Sequence, residues 1–123
     1  MDFKEKYRAI YLQIADRICD EVLSGALRPG ERIPSVRSYA AAIEVNANTA
    51  MRAYDYLSGI EVIFNRRGIG YFVSENAPEK IREIRSHRFL REDMHEVFRQ
   101  LDLLEVSPER LKEMFETYLN QNK

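Results

Sequence analysis

The chain of 123 residues is poor in the residue types that build specialised sites. A single cysteine, Cys19, excludes a disulfide framework and a multi-cysteine zinc site. It lies beside an apolar helical stripe and reads as a small buried hydrophobe rather than a reactive thiol. No apolar run approaches the roughly 18 residues of a membrane span. The opening segment, MDFKEKYRAI, alternates charged and apolar residues where a signal peptide has an apolar core. A soluble, cytoplasmic protein is expected. Neither sign of charge dominates: 19 Lys and Arg stand against 20 Asp and Glu, a net of −1. Net charge therefore supplies no argument for a nucleic-acid partner.

Catalytic signatures are missing too. There is no Gly-rich phosphate loop, no zinc-ligand spacing and no nucleophile–base–acid set. On a straight helix, His87 and His95 differ by about 80° in azimuth and about 12 Å along the axis, too far for one metal. Acidic pairs such as Glu92-Asp93 fall on a solvated helix face. No catalysis, cofactor or metal is expected.

What is present is a globular composition, 45% hydrophobic and 32% charged, in a length that suits one domain or a small domain with an appendage. The distribution of charge is more telling than its sum. Residues 26–76 carry six basic groups, and all six are Arg: Arg28, Arg32, Arg37, Arg52, Arg66 and Arg67. Arg is the planar, bidentate donor that suits phosphates and guanine edges. Since 14 of the 19 basic residues are Arg throughout, the bias is partly compositional.

From Tyr7 to Ser24, Tyr7, Ile10/Tyr11, Ile14, Ile18 and Val22 recur at helical spacing, and Gly25 supplies a stop. Arg28-Pro29-Gly30 reads as a turn, and Glu31-Arg32-Ile33 as an extended piece held so by Pro34. Ser35 is placed to cap a helix with Val36, Tyr39/Ala40 and Ile43 inward. After the turn at Glu44-Val45, Asn46 is placed to cap a second helix to about Ser58, with Ala50, Ala53/Tyr54 and Leu57 inward. Two short helices across a tight turn make a helix-turn-helix. Strands over Ile60–Phe64 and Gly70–Ser74, joined by Asn65-Arg66-Arg67-Gly68-Ile69, complete a winged helix. The expected fold is mainly α with a small β-hairpin wing, a winged helix-turn-helix domain over residues 1–75 and a helical dimerisation tail over 76–123.

Asn76-Ala77-Pro78 marks that boundary, with Pro at the first position of the next helix. The tail bears Ile81, Ile84, Phe89/Leu90, Met94, Val97/Phe98, Leu101 and Leu104, then, after Ser107-Pro108, Leu111, Met114/Phe115 and Tyr118/Leu119. Two such helices are too short to build a core of their own. A homodimer through Phe89, Met94, Val97, Phe98, Leu101, Leu111, Phe115 and Tyr118 satisfies them. The alternative is a monomer whose tail folds back on its first helix.

The stretches IYLQIADRI, LRPGERIPSVR, VNANTAMRAY and RRGIGYFV, in this order and at these distances, resemble the N-terminal domain of the GntR family of bacterial transcription regulators. The likeness covers residues 7–74, and the short two-helix tail looks like the YtrA subfamily. The resemblance implies a homodimer on a pseudo-palindromic operator in double-stranded DNA, usually as a repressor. It also implies a DNA contact by Arg37. Ala47 stands where the family often has Pro or Arg, and Ile69 where many relatives have a basic residue.

The residues themselves suggest roles. Asn48 and Thr49 open the second helix, where recognition helices read bases, and Arg52 lies on the outward face. Asn46 fits a cap, with a phosphate contact as a second role. Ser35 and Arg37 begin a helix whose free amides face a phosphate, although a surface Arg37 paired with an acidic neighbour is the plainer alternative. Arg66, Arg67 and Gly68 fit a hairpin tip that enters a minor groove or grips flanking phosphates. Gly70 with Tyr71 either lets the backbone approach DNA closely or relieves the strand start. Arg28 and Arg32 read as a solvated loop and a strand flank. A small-molecule effector is possible but not indicated; Phe89, Phe98, Phe115 and Tyr118 suit a dimer core better than a cavity. The reading from another class is a winged helix that binds proteins and not DNA.

Overall fold

The structure, a computed structural model, describes residues 8–123. Tyr7, the first residue of the expected apolar stripe, lies outside the described residues. The first helix, α1, spans Ile10–Ser24 and buries Ile14, Ala15, Ile18, Cys19 and Val22, so the thiol is part of the core. It ends at Gly25, whose φ of 88° only glycine adopts without strain.

Helix α2, Val36–Ile43, starts where the Ser35 side chain accepts the Ser38 N–H. Helix α3, Ala47–Gly59, starts where the Asn46 side chain accepts the Asn48 N–H. Both caps satisfy amides that a helix start leaves unpaired. The helix ends use a different device. Glu44 and Glu61 adopt left-handed φ of 56° and 63°. Behind them, Val45 N–H bonds Ala40 C=O at 3.0 Å and Val62 N–H bonds Leu57 C=O at 3.0 Å. These are Schellman stops, with Glu in place of the usual Gly. A third, at Glu105-Val106, follows α5 in the tail, where Val106 N–H bonds Leu101 C=O at 2.9 Å.

Because Glu61-Val62 completes the stop of α3, the first strand begins later than expected. Strand β1 is Ile63–Arg66, and β2 is Gly70–Val73. They pair antiparallel in the register Ile63↔Val73, Phe64↔Phe72, Asn65↔Tyr71 and Arg66↔Gly70. The 31–33 segment adds a third row: Arg32 bridges Phe72, Ile33 N–H bonds Tyr71 C=O at 3.0 Å, and Val73 N–H bonds Glu31 C=O at 2.9 Å. One face of this small sheet, with Ile33, Ile63 and Val73, joins Ile18, Tyr54 and Leu57 in the core.

Helix α4 spans Ala77–Arg88, so Pro78 is its second residue and not its first. Ala77 and Ile81 are buried in the winged-helix core. The chain forms two compact units, divided between Glu83 and Ile84. In the second unit a five-residue π turn, Phe89–Asp93, separates α4 from α5, Met94–Leu103. His87 and His95 are thus not carried on one straight α-helix. Helix α6, Pro108–Gln121, is capped by Ser107, with Pro108 in its first turn.

Candidate nucleic-acid interface

The N-terminus of α3 is built by its buried face. Ala50, Ala53, Tyr54 and Leu57 are fully enclosed, which turns Ala47, Asn48, Met51 and Asp55 to solvent and leaves Thr49 half-buried. Asn46 Oδ1 accepts the Asn48 N–H at 2.7 Å, so its carbonyl end is engaged as a cap. Asn48 and Thr49 therefore stand in the first turn of an exposed helix start. Arg52 is exposed on the same side of α3. Its guanidinium carbon lies 4.2 Å from the ring centroid of Tyr11 on α1, a cation–π contact.

At the start of α2, Ser35 Oγ accepts the Ser38 N–H at 3.2 Å and shares a 3.0 Å hydrogen bond with the Ser38 hydroxyl. This start is tied to α3: the Tyr54 hydroxyl donates to the Pro34 carbonyl at 2.7 Å. Arg37 is exposed, two residues after the cap in the first turn of α2.

In the wing, Arg66 closes β1 and is not part of the hairpin tip. Its guanidinium carbon lies 5.5 Å from the Phe72 ring centroid. The loop proper is Arg67-Gly68-Ile69, closed by Ile69 N–H to Arg66 C=O at 2.9 Å, with Gly68 at φ 80°. A three-residue hairpin loop needs a left-handed residue there, which Gly68 provides. Tyr71 faces the other way: its ring stands edge-on to Tyr54 at 5.0 Å, so it packs inward and offers DNA no side chain. Gly70 has a local reason to be glycine. A Cβ there would meet Arg32 Nε at 2.9 Å, at a φ of 142°. Arg32 flanks a strand row as its extended setting implies, but its seat on Gly70 depends on a strand pairing that no local pattern signals.

None of Arg28, Arg32, Arg37, Arg52, Arg66 or Arg67 forms an ion pair with a described residue. The plainer alternative for Arg37, a salt-bridged surface residue, is not what the structure shows. Five basic residues outside this stretch are matched: Arg8 with Asp16, Arg17 with Glu21, Lys80 with Glu61, Arg99 with Glu96 and Arg110 with Glu113. Hydrogen bonds from Arg99, then Gln100, lower the Glu96 pKa to about 2.

The second unit has no core of its own, since no residue from Ile84 to Lys123 is buried. Phe89, Val97, Phe98, Phe115 and Tyr118 are exposed, and Met94, Leu101 and Leu111 are half-buried. Leu90 and Leu103, at 62% and 63% exposure, extend the apolar surface beyond the expected set. Within the first unit, a surface cavity of about 430 Å³ is lined by Ile10, Ile14, Ile43 and Val45 together with Asp16, Arg17 and Asp20. Among the described residues no helix is long and apolar enough to cross a membrane.

The capped helix pair, its uncompensated arginines and the three-row wing define a winged helix-turn-helix of the DNA-binding type. Residues 10–73 match the gntR family of bacterial regulatory proteins. The chain is 34% identical over 111 residues to the HTH-type transcriptional regulator YhcF of Bacillus subtilis, covering 90% of each. It is 41% identical over 68 residues to the transcriptional repressor YtrA of the same organism, covering 55% of this chain and 52% of that one. A GntR-family transcriptional regulator from Bacteroides thetaiotaomicron superposes with a TM-score of 0.83 at 47% identity, covering 94% of this chain and all of that one. The chain belongs to the GntR family. It is a DNA-binding transcription regulator and not an enzyme.

Proposed function

We infer that the protein works in the cytoplasm as a homodimeric repressor, each subunit reading one half of a pseudo-palindromic operator. The observation that carries the dimer is the segment from Ile84 to Lys123, which has no buried residue and exposes Phe98 at 52% and Phe115 at 60%. Apolar surface on this scale is unusual for a monomer, and a two-fold interface covers each patch with its equal. Residues 76–123 serve as the dimerisation segment, and residues 1–75 carry the reading head. Asn48 and Thr49 read base edges. Arg37 and the amides at the start of α2 grip phosphate, and Arg67 with Gly68 brings the wing tip to the minor groove. The name of the relative YtrA supports repression over activation.

The test is selection of bound duplexes by the purified protein from a random-sequence pool at near-physiological salt, without added ligand. Enrichment of an inverted repeat is expected, and the half-site spacing then reports how far apart the tails hold the two α3 helices. Enrichment of a single, unrepeated half-site would overturn the dimeric reading. Enrichment of nothing would overturn autonomous operator recognition.

A further inference from the structure

The solvent face of the wing carries an arrangement that the reading above leaves unexplained. Directly opposed residues on neighbouring strands share a face, as do alternate residues along one strand. The register therefore puts Arg32, Phe64, Arg66, Gly70 and Phe72 on one side, opposite the core-facing Ile33, Ile63, Tyr71 and Val73. Phe64 and Phe72 stack with ring centroids 5.8 Å apart. Arg66 reaches over the Phe72 ring. From the next row, Arg32 lays its guanidinium across Gly70: the Cβ that Gly70 lacks would lie 2.9 Å from Nε, 3.2 Å from Nη2 and 3.4 Å from Cζ. Arg66 and Gly70 are themselves cross-strand partners, so the two arginines flank one glycine.

Like charges on neighbouring strands repel, and no described carboxylate pairs with either arginine. Such a pair is stabilised by an anion that both can reach, and a planar guanidinium fits a phosphate through two parallel N–H donors. The location selects the source of that phosphate. Arg32 precedes Pro34-Ser35, the entry to α2, and Arg66 precedes the Arg67-Gly68-Ile69 loop. The pair thus lies between the two elements assigned to the DNA backbone.

We propose that Arg32 is a DNA-contacting residue, gripping with Arg66 a backbone phosphate beside the base-read segment, with Gly70 as the seat that holds its guanidinium in place. The Phe64–Phe72 stack is the rigid floor under the pair. This proposal rests on the DNA-binding reading above and adds a contact to it.

The experiment measures affinity against salt for the wild type, Arg32→Ala, Arg32→Lys and Arg28→Ala, using a duplex bearing the selected inverted repeat. Arg32→Ala should weaken binding about tenfold or more and flatten the slope of log K on log salt by about 0.9 for each phosphate released, so by about 1.8 for two half-sites. Arg32→Lys should restore the slope, and Arg28→Ala, whose loop lies off this face, should behave as the wild type. The base preference recovered by selection should be the same for all four. Arg32 is exposed, so folding should survive its replacement; if the Ala variant melts early, Arg32→Gln gives the same comparison. A wild type that binds with an Arg32→Ala slope equal to its own would overturn this proposal alone. A wild type that binds no duplex would overturn the parent reading and this contact with it.

Discussion

Removing the same oxygen from two neighbouring tyrosines should move stability in opposite directions. Tyr39 and Tyr54 pack with ring centroids 6.1 Å apart in one core. Tyr54 is fully buried, and its hydroxyl donates to the Pro34 carbonyl at 2.7 Å. Tyr39 is 7% exposed, and its hydroxyl has no hydrogen-bond partner among the described residues. Burial raises the pKa of both, so both remain neutral phenols at working pH. Tyr54→Phe deletes a neutral hydrogen bond worth about 1 kcal/mol and strands a carbonyl. Pro34 is exposed, and water can serve that carbonyl, so the loss should stay near about 1–1.5 kcal/mol. Tyr39→Phe deletes a hydroxyl that forfeited its water without compensation, and should be neutral or stabilise by up to about 1 kcal/mol. Urea denaturation at one fixed protein concentration reads the difference, because association couples to folding. The midpoints should shift at unchanged slope, separating the two unfolding free energies by about 1–2.5 kcal/mol. Equal losses in the two variants would refute the reasoning, since they would mean that ring packing alone, and not hydroxyl satisfaction, sets the cost.

Other outcomes follow from single residues. Asn48→Ala should relax preference at one position of each half-site, costing about 1–3 kcal/mol of discrimination in repeated duplex selection, with overall salt dependence retained. Glu44→Gly should raise stability by about 0.5–1 kcal/mol, seen as a higher melting temperature, because Gly occupies the left-handed stop after α2 without the Cβ penalty. Phe115→Asp should weaken the dimer by at least about 2 kcal/mol, roughly thirtyfold in dissociation constant, and sedimentation at low concentration should show monomer.

The helices and their starts were legible because their causes are local. An apolar residue at every third or fourth position buries one face, and Ser35, Asn46 and Ser107 each sit where a side-chain oxygen reaches a free amide. The stops were not. Glu-Val ends three helices, at 44–45, 61–62 and 105–106, but the same dipeptide lies inside α1 at Glu21-Val22 and inside α5 at Glu96-Val97. What distinguishes the stops is the packing that accepts a left-handed Glu, which no short window contains. The late start of β1 follows from the stop at Glu61-Val62. The side-chain contacts of Arg52 and Arg32 were not legible for a related reason. One meets Tyr11, about forty residues earlier in the chain, and the other is seated on Gly70 in the opposite strand row, so each contact is a tertiary fact.

The near-neutral charge of the chain is no obstacle to binding a polyanion, and the ion pairs show why. Acidic groups are spent on basic ones mostly outside residues 26–76, and Glu61, inside that stretch, faces Lys80. The six arginines between Arg28 and Arg67 keep their charge uncompensated by any described carboxylate. At physiological ionic strength, charges more than about 8 Å away are largely screened, so a phosphate responds to the groups that face it and not to the chain total. Four of those six, Arg32, Arg37, Arg66 and Arg67, lie on the start of α2 and on the wing, the elements proposed above to grip the duplex. The fifth, Arg52, lies over the Tyr11 ring of α1. Affinity for DNA should accordingly track the removal of Arg32, Arg37, Arg66 or Arg67 one phosphate at a time, while charge changes in α6 leave the salt slope where it was.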